Sequence, residues 1–324
     1  MSGHTCLVVM YHYVRDSAAT AFPDIRALAP VLFDRQLDWL QGQYTVIDLR
    51  RFEAALDREE SLPPNAVLLT FDDGLIDHYD TVLPLLRARG LRGTFFLSQD
   101  ACGTSPRLLA VHKVQLLLAR LGVEAFSRAL LQACAAPGIP RAAGPEVFGV
   151  APWEDDNDRA IKHFVSHQLP FTEAERVLEE LFTRYIGDSA AFAGRLYLNP
   201  GMIQEMAAAG MTFGYHTRSH RMLARLSPGE QEDELRPGVA WIRALTGQAT
   251  VPFCYPWGGP HTYTRETLRI LRESGYSLAF NTVRRRVKPG RENRYELPRV
   301  DTRDLPPYTA AEPPPAETFS REDA

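Results

Sequence analysis

Five stretches of this chain repeat one pattern: an amphipathic run, a glycine, then a short extended apolar run. They are "LDWLQGQYTVIDL", "LLRARGLRGTFFL", "EMAAAGMTFGYHT", "IRALTGQATVPFCY" and "ILRESGYSLAFNT", punctuated by Gly42, Gly90, Gly210, Gly247 and Gly275. A glycine just past a helix end takes up the capping conformation at little steric cost, and helical runs alternating with extended ones predict βα units with parallel strands. Adding "CLVVMYHYV", "AVLLTF" and "ELPRV" brings the extended segments to about eight, the number a barrel-like α/β sheet requires. In such folds ligands bind at the carboxyl ends of strands, so residues directly after the extended runs are the ones to search for chemistry.

Residues 101–200 break the rhythm. "LLAVHKVQLLLARL" and "TEAERVLEELFTRYI" have helical periodicity and flank a loop-like stretch, which predicts a largely helical insertion within a domain of residues 1–305. The remainder, 306–324, is proline-rich and acidic and reads as a disordered tail. A formal net charge of -4, from 40 acidic and 36 basic residues that are well mixed, offers no footprint for nucleic acid and no polybasic membrane patch. The run Arg284-Arg285-Arg286 reads as a solvated turn. Cys6, Cys102, Cys134 and Cys254 lie far apart without CxxC spacing, arguing against a zinc-thiolate centre and against a disulfide framework. The N-terminal apolar run lacks a basic flank, is too short to span a bilayer and carries His12, so it reads as a core strand, with no integral membrane segment and a cytoplasmic location as the expectation.

Two strand ends carry concentrated chemistry. "LLTFDDG" sets Asp72 and Asp73 side by side after an apolar run, and adjacent carboxylates need solvent, a shared proton or a cation to relieve their repulsion. "GYHTRSHRML" places His216 and His220 after another run, where both imidazoles face the same way if a helical turn begins there. Two histidines and one carboxylate make a three-point metal site with room for water, and a second, unliganded carboxylate beside it is suited to act as a general base.

TFDDG after one strand and HTRSH after another, inside a repeated βα pattern, resembles the polysaccharide deacetylase family, also called the NodB-homology or carbohydrate esterase family four group. The resemblance covers residues 5–305, with the insertion matching least. It implies a distorted (β/α) barrel of the NodB type and a divalent metal ion, zinc, with cobalt or nickel also suited to the ligands. The implied substrate is an N-acetylated amino sugar, deacetylated as part of a glycan or glycoconjugate precursor. In the family's first motif the leading aspartate is the base and the second binds metal, which assigns Asp72 and Asp73. Its H-[ST]-x-x-H motif supplies two metal ligands, here His216 and His220. Its R-x-P-Y-G motif lines the substrate groove and gives a backbone amide to the oxyanion. "CYPWG" aligns with it, making Tyr255, Pro256, Trp257 and Gly258 the substrate-binding loop and Trp257 the amide donor and sugar-stacking face.

The chain departs from the family at two places. The motif arginine, which pairs with the base in many members, is replaced by Cys254; Arg299 in "LPRVD" is the candidate substitute, as related members carry an arginine at that late strand end. The family's late histidine, which protonates the leaving amine, has no match. His12 in "MYHYV" is the candidate acid, with His261 and His78 as competitors and with His112, His163 and His167 given less weight. Three other readings stay open at this stage: an iron(II) oxygenase using the same triad, a catalytically weak metal-containing glycan-binding protein, and a deacylase of a different N-acyl small molecule.

Overall fold

The computed structural model describes residues 5–134, 161 and 164–308. The eight extended runs read from the sequence become eight strands: β1 (Cys6–Tyr11), β2 (Thr45–Ile47), β3 (Ala66–Phe71), β4 (Thr94–Leu97), β5 (Thr212–Tyr215), β6 (Phe253–Cys254), β7 (Ala279–Phe280) and β8 (Val300–Asp301). They form one sheet in the order β7-β6-β5-β4-β3-β1-β8, every pairing parallel, with β2 joining the first half of β3 while β4 joins its end. Leu297 exchanges backbone hydrogen bonds with Ala279 and Asn281, and a few residues on β8 pairs with β1. One short segment therefore spans the gap between the outer strands, and the sheet curls into the expected barrel-like arrangement.

The glycine caps form at Gly90, Gly210, Gly247 and Gly275, all with positive φ. Gly42 differs. It lies inside the last turn of the helix Pro30–Gln43, which ends at Tyr44 with an extended backbone and no left-handed residue, because the chain runs straight on into β2.

Alternation along the strands sorts side chains into an interior and an outer face. Cys6 and Val8 on β1, Ala66 and Leu68 on β3, Phe96 on β4, Cys254 on β6, Phe280 on β7 and Leu297 before β8 meet in one buried apolar cluster. Phe96 fills so much of this interior that a Cβ on Gly214 of β5 would lie 2.4 Å from its ring, so only glycine fits opposite it. Following the same alternation two or four residues further, the interior positions at the carboxyl ends of these strands are His12, Asp72, His216 and Arg299, with Cys254 at the edge of the apolar cluster itself. The apolar cluster thus becomes a floor, and the polar residues stand on it.

The chain divides into two compact units, one of residues 1–15, 27–105 and 197–324 and the other of 16–26 and 106–196. The second unit lies inside the predicted 101–200 insertion but also takes in 16–26, a segment whose sequence carries no helical or strand signal. Its described residues include the helices Ala110–Leu121, Val123–Ala133, Phe171–Tyr185 and Ser189–Leu196, and the buried Lys113 pairs with Glu179 at 2.8 Å within it. His163 and the tail from residue 309 lie outside the described residues, as does the side chain of His167. Among the described residues, no helix is long and apolar enough to cross a membrane. The Arg284-Arg286 run is a paired surface, with Arg284 on Asp304, Arg285 on Glu292 and Arg286 on the ring of Tyr44.

Candidate active site

Strand alternation should send Asp72 and Asp73 to opposite faces, yet both reach the same cluster. The reason is local: Asp72 still bonds to the sheet, its amide donating to Tyr11 O at 2.9 Å, whereas Asp73 adopts φ 75° and Gly74 φ 64°. This left-handed step turns the second carboxylate back over the end of the barrel. Gly74 is obligatory for space as well, since a Cβ there would lie 2.3 Å from Cys102 Sγ. Of the non-glycine residues with positive φ among those described, Asp73, Thr217, His220 and Trp257 all belong to this cluster.

The second strand end solves the same problem differently from the helical turn expected for it. After β5, residues 216–222 form a bent loop with no helix, in which Thr217 and His220 take left-handed conformations. Thr217 Oγ1 accepts from the His220 amide at 2.9 Å, and Glu234 accepts from both the amide and the hydroxyl of Ser219. These bonds fold His220 back beside His216, with ring centroids 4.9 Å apart.

Asp73, His216 and His220 converge as three potential metal donors. Asp73 Oδ1 lies 3.5 Å from His216 Nε2 and 3.4 Å from His220 Nε2. Donors held about 2.0–2.1 Å from a tetrahedral ion stand roughly 3.3 Å from one another, so this spacing suits such an ion without rearrangement. The ring orientation suits it too. His216 Nδ1 lies 2.7 Å from Cys254 O, and because a carbonyl only accepts, Nδ1 carries a proton, which leaves Nε2, on the Asp73 side, as the nitrogen that would hold an ion.

Asp72 has different company. Arg299 grips it bidentately, Nη1 to Oδ1 at 2.8 Å and Nη2 to Oδ2 at 2.7 Å, with both side chains buried. Burial pushes the Asp72 pKa up, but the guanidinium's charge and hydrogen bonds outweigh it and hold the carboxyl down at about 2. Arg299 is itself fully engaged, donating to Asn281 O, Thr70 Oγ1 and Cys254 Sγ as well. Cys254 donates its thiol proton toward Asp72 at 3.6 Å, and burial raises its pKa against the nearby arginine's pull, so it remains a thiol. A sulfur in place of the motif arginine leaves the room that the guanidinium from the β8 side occupies.

The remaining sequence-predicted residues divide. His12, part-exposed at the end of β1, stands with Nε2 3.8 Å from Asp72 Oδ2. Trp257 is half-buried with its ring edge-on to His220, centroids 5.8 Å apart, and Gly258 turns at φ 67°, where a Cβ would lie 2.3 Å from Thr282. Pro256 is buried beneath them. Tyr255 does not line a groove: alternation after Cys254 sends its ring to the outer face of the sheet. There it stacks on Tyr263, donates its hydroxyl to Tyr295 O and is only 1% exposed. His78 is fully buried with Nε2 3.1 Å from His12 O, behind the site rather than in it. His261 is exposed next to the Trp257 turn, and His112 is buried inside the second unit. Sequence reading passed over Asp77, Glu234 and Asn281, whose bonds to Val14, Ser219 and Arg299 hold the ring of site residues in place. Only Asp77, so close to TFDDG, had a positional signal.

The sequence model of the polysaccharide deacetylase family matches residues 59–114 and 164–279, more than half of the chain and spanning Asp72, Asp73, His216, His220 and Cys254. The chain belongs to the polysaccharide deacetylase family. YxkH of Bacillus subtilis (strain 168), which bears the family's name, is 21% identical over 223 residues, covering 68% of this chain and 71% of that protein. Among solved structures, the deacetylase PplD of Streptococcus pyogenes, in complex with acetate, superposes with a TM-score of 0.56 at 18% identity, covering 92% of each chain. IcaB of Ammonifex degensii superposes with a TM-score of 0.54 at 21% identity, covering 93% of each. These likenesses show the fold: a curled parallel sheet with surrounding helices, as in the NodB-type deacetylases.

Proposed function

We propose that this polysaccharide deacetylase family member is a metal-dependent hydrolase that removes an N-acetyl group from an amino sugar of a glycan or glycoconjugate precursor. The observation that carries the reading is the division of labour between adjacent aspartates. Asp73 completes a donor triad with His216 and His220, while Asp72 is kept anionic by Arg299 and has no place in that triad. A divalent ion held by the triad, zinc being the first choice for such donors and cobalt or nickel also suitable, supplies Lewis acidity toward the acyl oxygen and acidifies water.

Hydrolysis of an amide needs a base for water, stabilisation of the tetrahedral oxyanion and a proton for the departing nitrogen. Asp72, ionised and fixed by two bonds from Arg299, takes the proton from water. The Trp257 backbone amide donates to the oxyanion, and the indole ring offers a stacking face for the sugar. His12, whose Nε2 is 3.8 Å from Asp72 Oδ2, is the acid that protonates the amine in this reading. The missing motif arginine does not favour a bare glycan binder, because Arg299, directly before β8, pairs with Asp72 instead.

The reading is tested by acetate release from N-acetylated amino-sugar oligomers and from simple N-acyl compounds, using the wild-type chain and Asp72→Asn. Release from the oligomers that falls about 10²–10⁴-fold in the variant is the expected result for a lost general base. Equal activity of the two proteins overturns Asp72 as base. Release from simple N-acyl compounds alone moves the substrate class to a small N-acyl molecule.

A further inference from the structure

His78 is a buried histidine behind the site that the chemistry above leaves without a task. It is completely buried, packed edge-on against Phe71 and beside Phe95 with centroids 5.6 and 5.5 Å away. It sits at the start of a π-helical turn, His78–Val82, just after the TFDDG loop. An imidazole is costly to bury unless its polar atoms are used. Its Nε2 lies 3.1 Å from the carbonyl oxygen of His12, so Nε2 must carry the proton and donate. The preceding residue works on the same corner: Asp77 Oδ2 accepts from the Val14 amide at 3.0 Å and from Arg15 Nε at 2.8 Å. Burial lowers the His78 pKa to about 4, so near neutral pH it is an uncharged donor.

The β1–β3 register ends at Tyr11 and Phe71, and beyond it the chain is held by a backbone bridge between Val14 and Leu28, with the Leu28 amide donating to Tyr13 O at 3.0 Å, and by side chains from the segment that follows the catalytic loop. We propose that His78 is a positioning residue for the leaving-group acid: its hydrogen bond to the His12 carbonyl, with the Asp77 bond to Val14, holds the His12 ring beside Asp72. The inference rests on the reading of His12 as the acid. It ties two family-motif neighbourhoods together, because the segment that carries the base and the metal ligand also orients the acid.

The test compares His12→Ala, His78→Leu, His78→Gln and the double variant His12→Ala/His78→Leu as full-length, metal-loaded proteins. Two substrates are used: an N-acetylated amino-sugar oligomer and p-nitrophenyl acetate, whose leaving group departs without a proton. Loss of acid assistance costs on the order of 10²-fold. His78→Leu is expected to lower kcat on the oligomer about tenfold or more with KM little changed, to leave p-nitrophenyl acetate hydrolysis unaltered, and to recover in His78→Gln, whose amide can donate from a similar position. In the double variant the losses should not multiply, since one residue acts through the other. Multiplying losses, or equal losses on both substrates, would overturn the positioning role. Wild-type oligomer activity that His12→Ala leaves intact would instead overturn His12 as the acid, which separates the two failures.

Discussion

Asp72 and Asp73 are consecutive, buried and chemically identical, yet the protein surrounds them with opposite partners. Asp72 meets a permanent cation: Arg299 forks onto both oxygens, with Cys254 and Thr70 completing a closed hydrogen-bonded group. Asp73 meets two imidazoles, one of them oriented by its Nδ1–H, which donates to the Cys254 carbonyl. The first carboxylate has its counter-charge built into the fold; under the proposed function the second shares one brought from outside. Two consecutive left-handed residues, Asp73 and Gly74, make this possible, because a regular strand would have placed the two carboxylates on opposite faces of the sheet. Backbone strain is here the means by which two roles are extracted from one dipeptide.

The contrast can be broken from either side, and the largest effect is expected on the Asp73 side. Asp73→Ala or His216→Ala removes one donor of three, so bound metal measured by elemental analysis should fall well below one equivalent and acetate release should drop to background. Asp72→Asn should cut acetate release by about 10²–10⁴-fold while leaving metal content unchanged. Arg299→Met strips the built-in counter-charge from a buried carboxylate. Denaturant unfolding should show a loss of about 3–5 kcal/mol, and the acid limb of the rate profile should move up as burial, no longer opposed, raises the Asp72 pKa.

Cys254→Arg sharpens the same point. Restoring the family's arginine sets a second guanidinium in a space Arg299 already fills, so the expected outcome is a loss of about 1–3 kcal/mol in stability and lower activity. A gain in activity would show that Arg299 is not the working substitute. The smallest effect is on acid stability. Asp72 has a folded pKa of about 2 against an ordinary 3.8, so its stabilisation is complete above about pH 4 and is lost as the pH falls toward 2. The loss is on the order of 2 kcal/mol, and Arg299→Met should abolish it, which pH-dependent unfolding will reveal.

Much of this was legible in sequence because it is local. The helix-glycine-strand rhythm placed five of the eight strands and isolated apolar runs the other three, and the TFDDG and HTRSH runs pointed to the four residues now found together, since each motif is short and sits at a strand end. What was not legible is long-range or conformational. The turn that aligns His216 with His220 is a bent loop held by Thr217 and by Glu234, fifteen residues beyond Ser219, and helical spacing alone suggests another geometry. Tyr255 sits in a binding motif yet faces the outer core, because alternation overrides motif membership. The bonds from Asp77 and His78 to the β1 end join residues more than sixty positions apart, which no local pattern announces.

Whether neighbouring aspartates divide metal binding from base catalysis is tested most directly by metal titration of Asp72→Asn and Asp73→Asn, followed by acetate release on the same samples. Asp72→Asn is expected to retain one equivalent of divalent ion with acetate release lost, while Asp73→Asn loses both. Loss of the ion from Asp72→Asn, or its full retention by Asp73→Asn, would overturn the division.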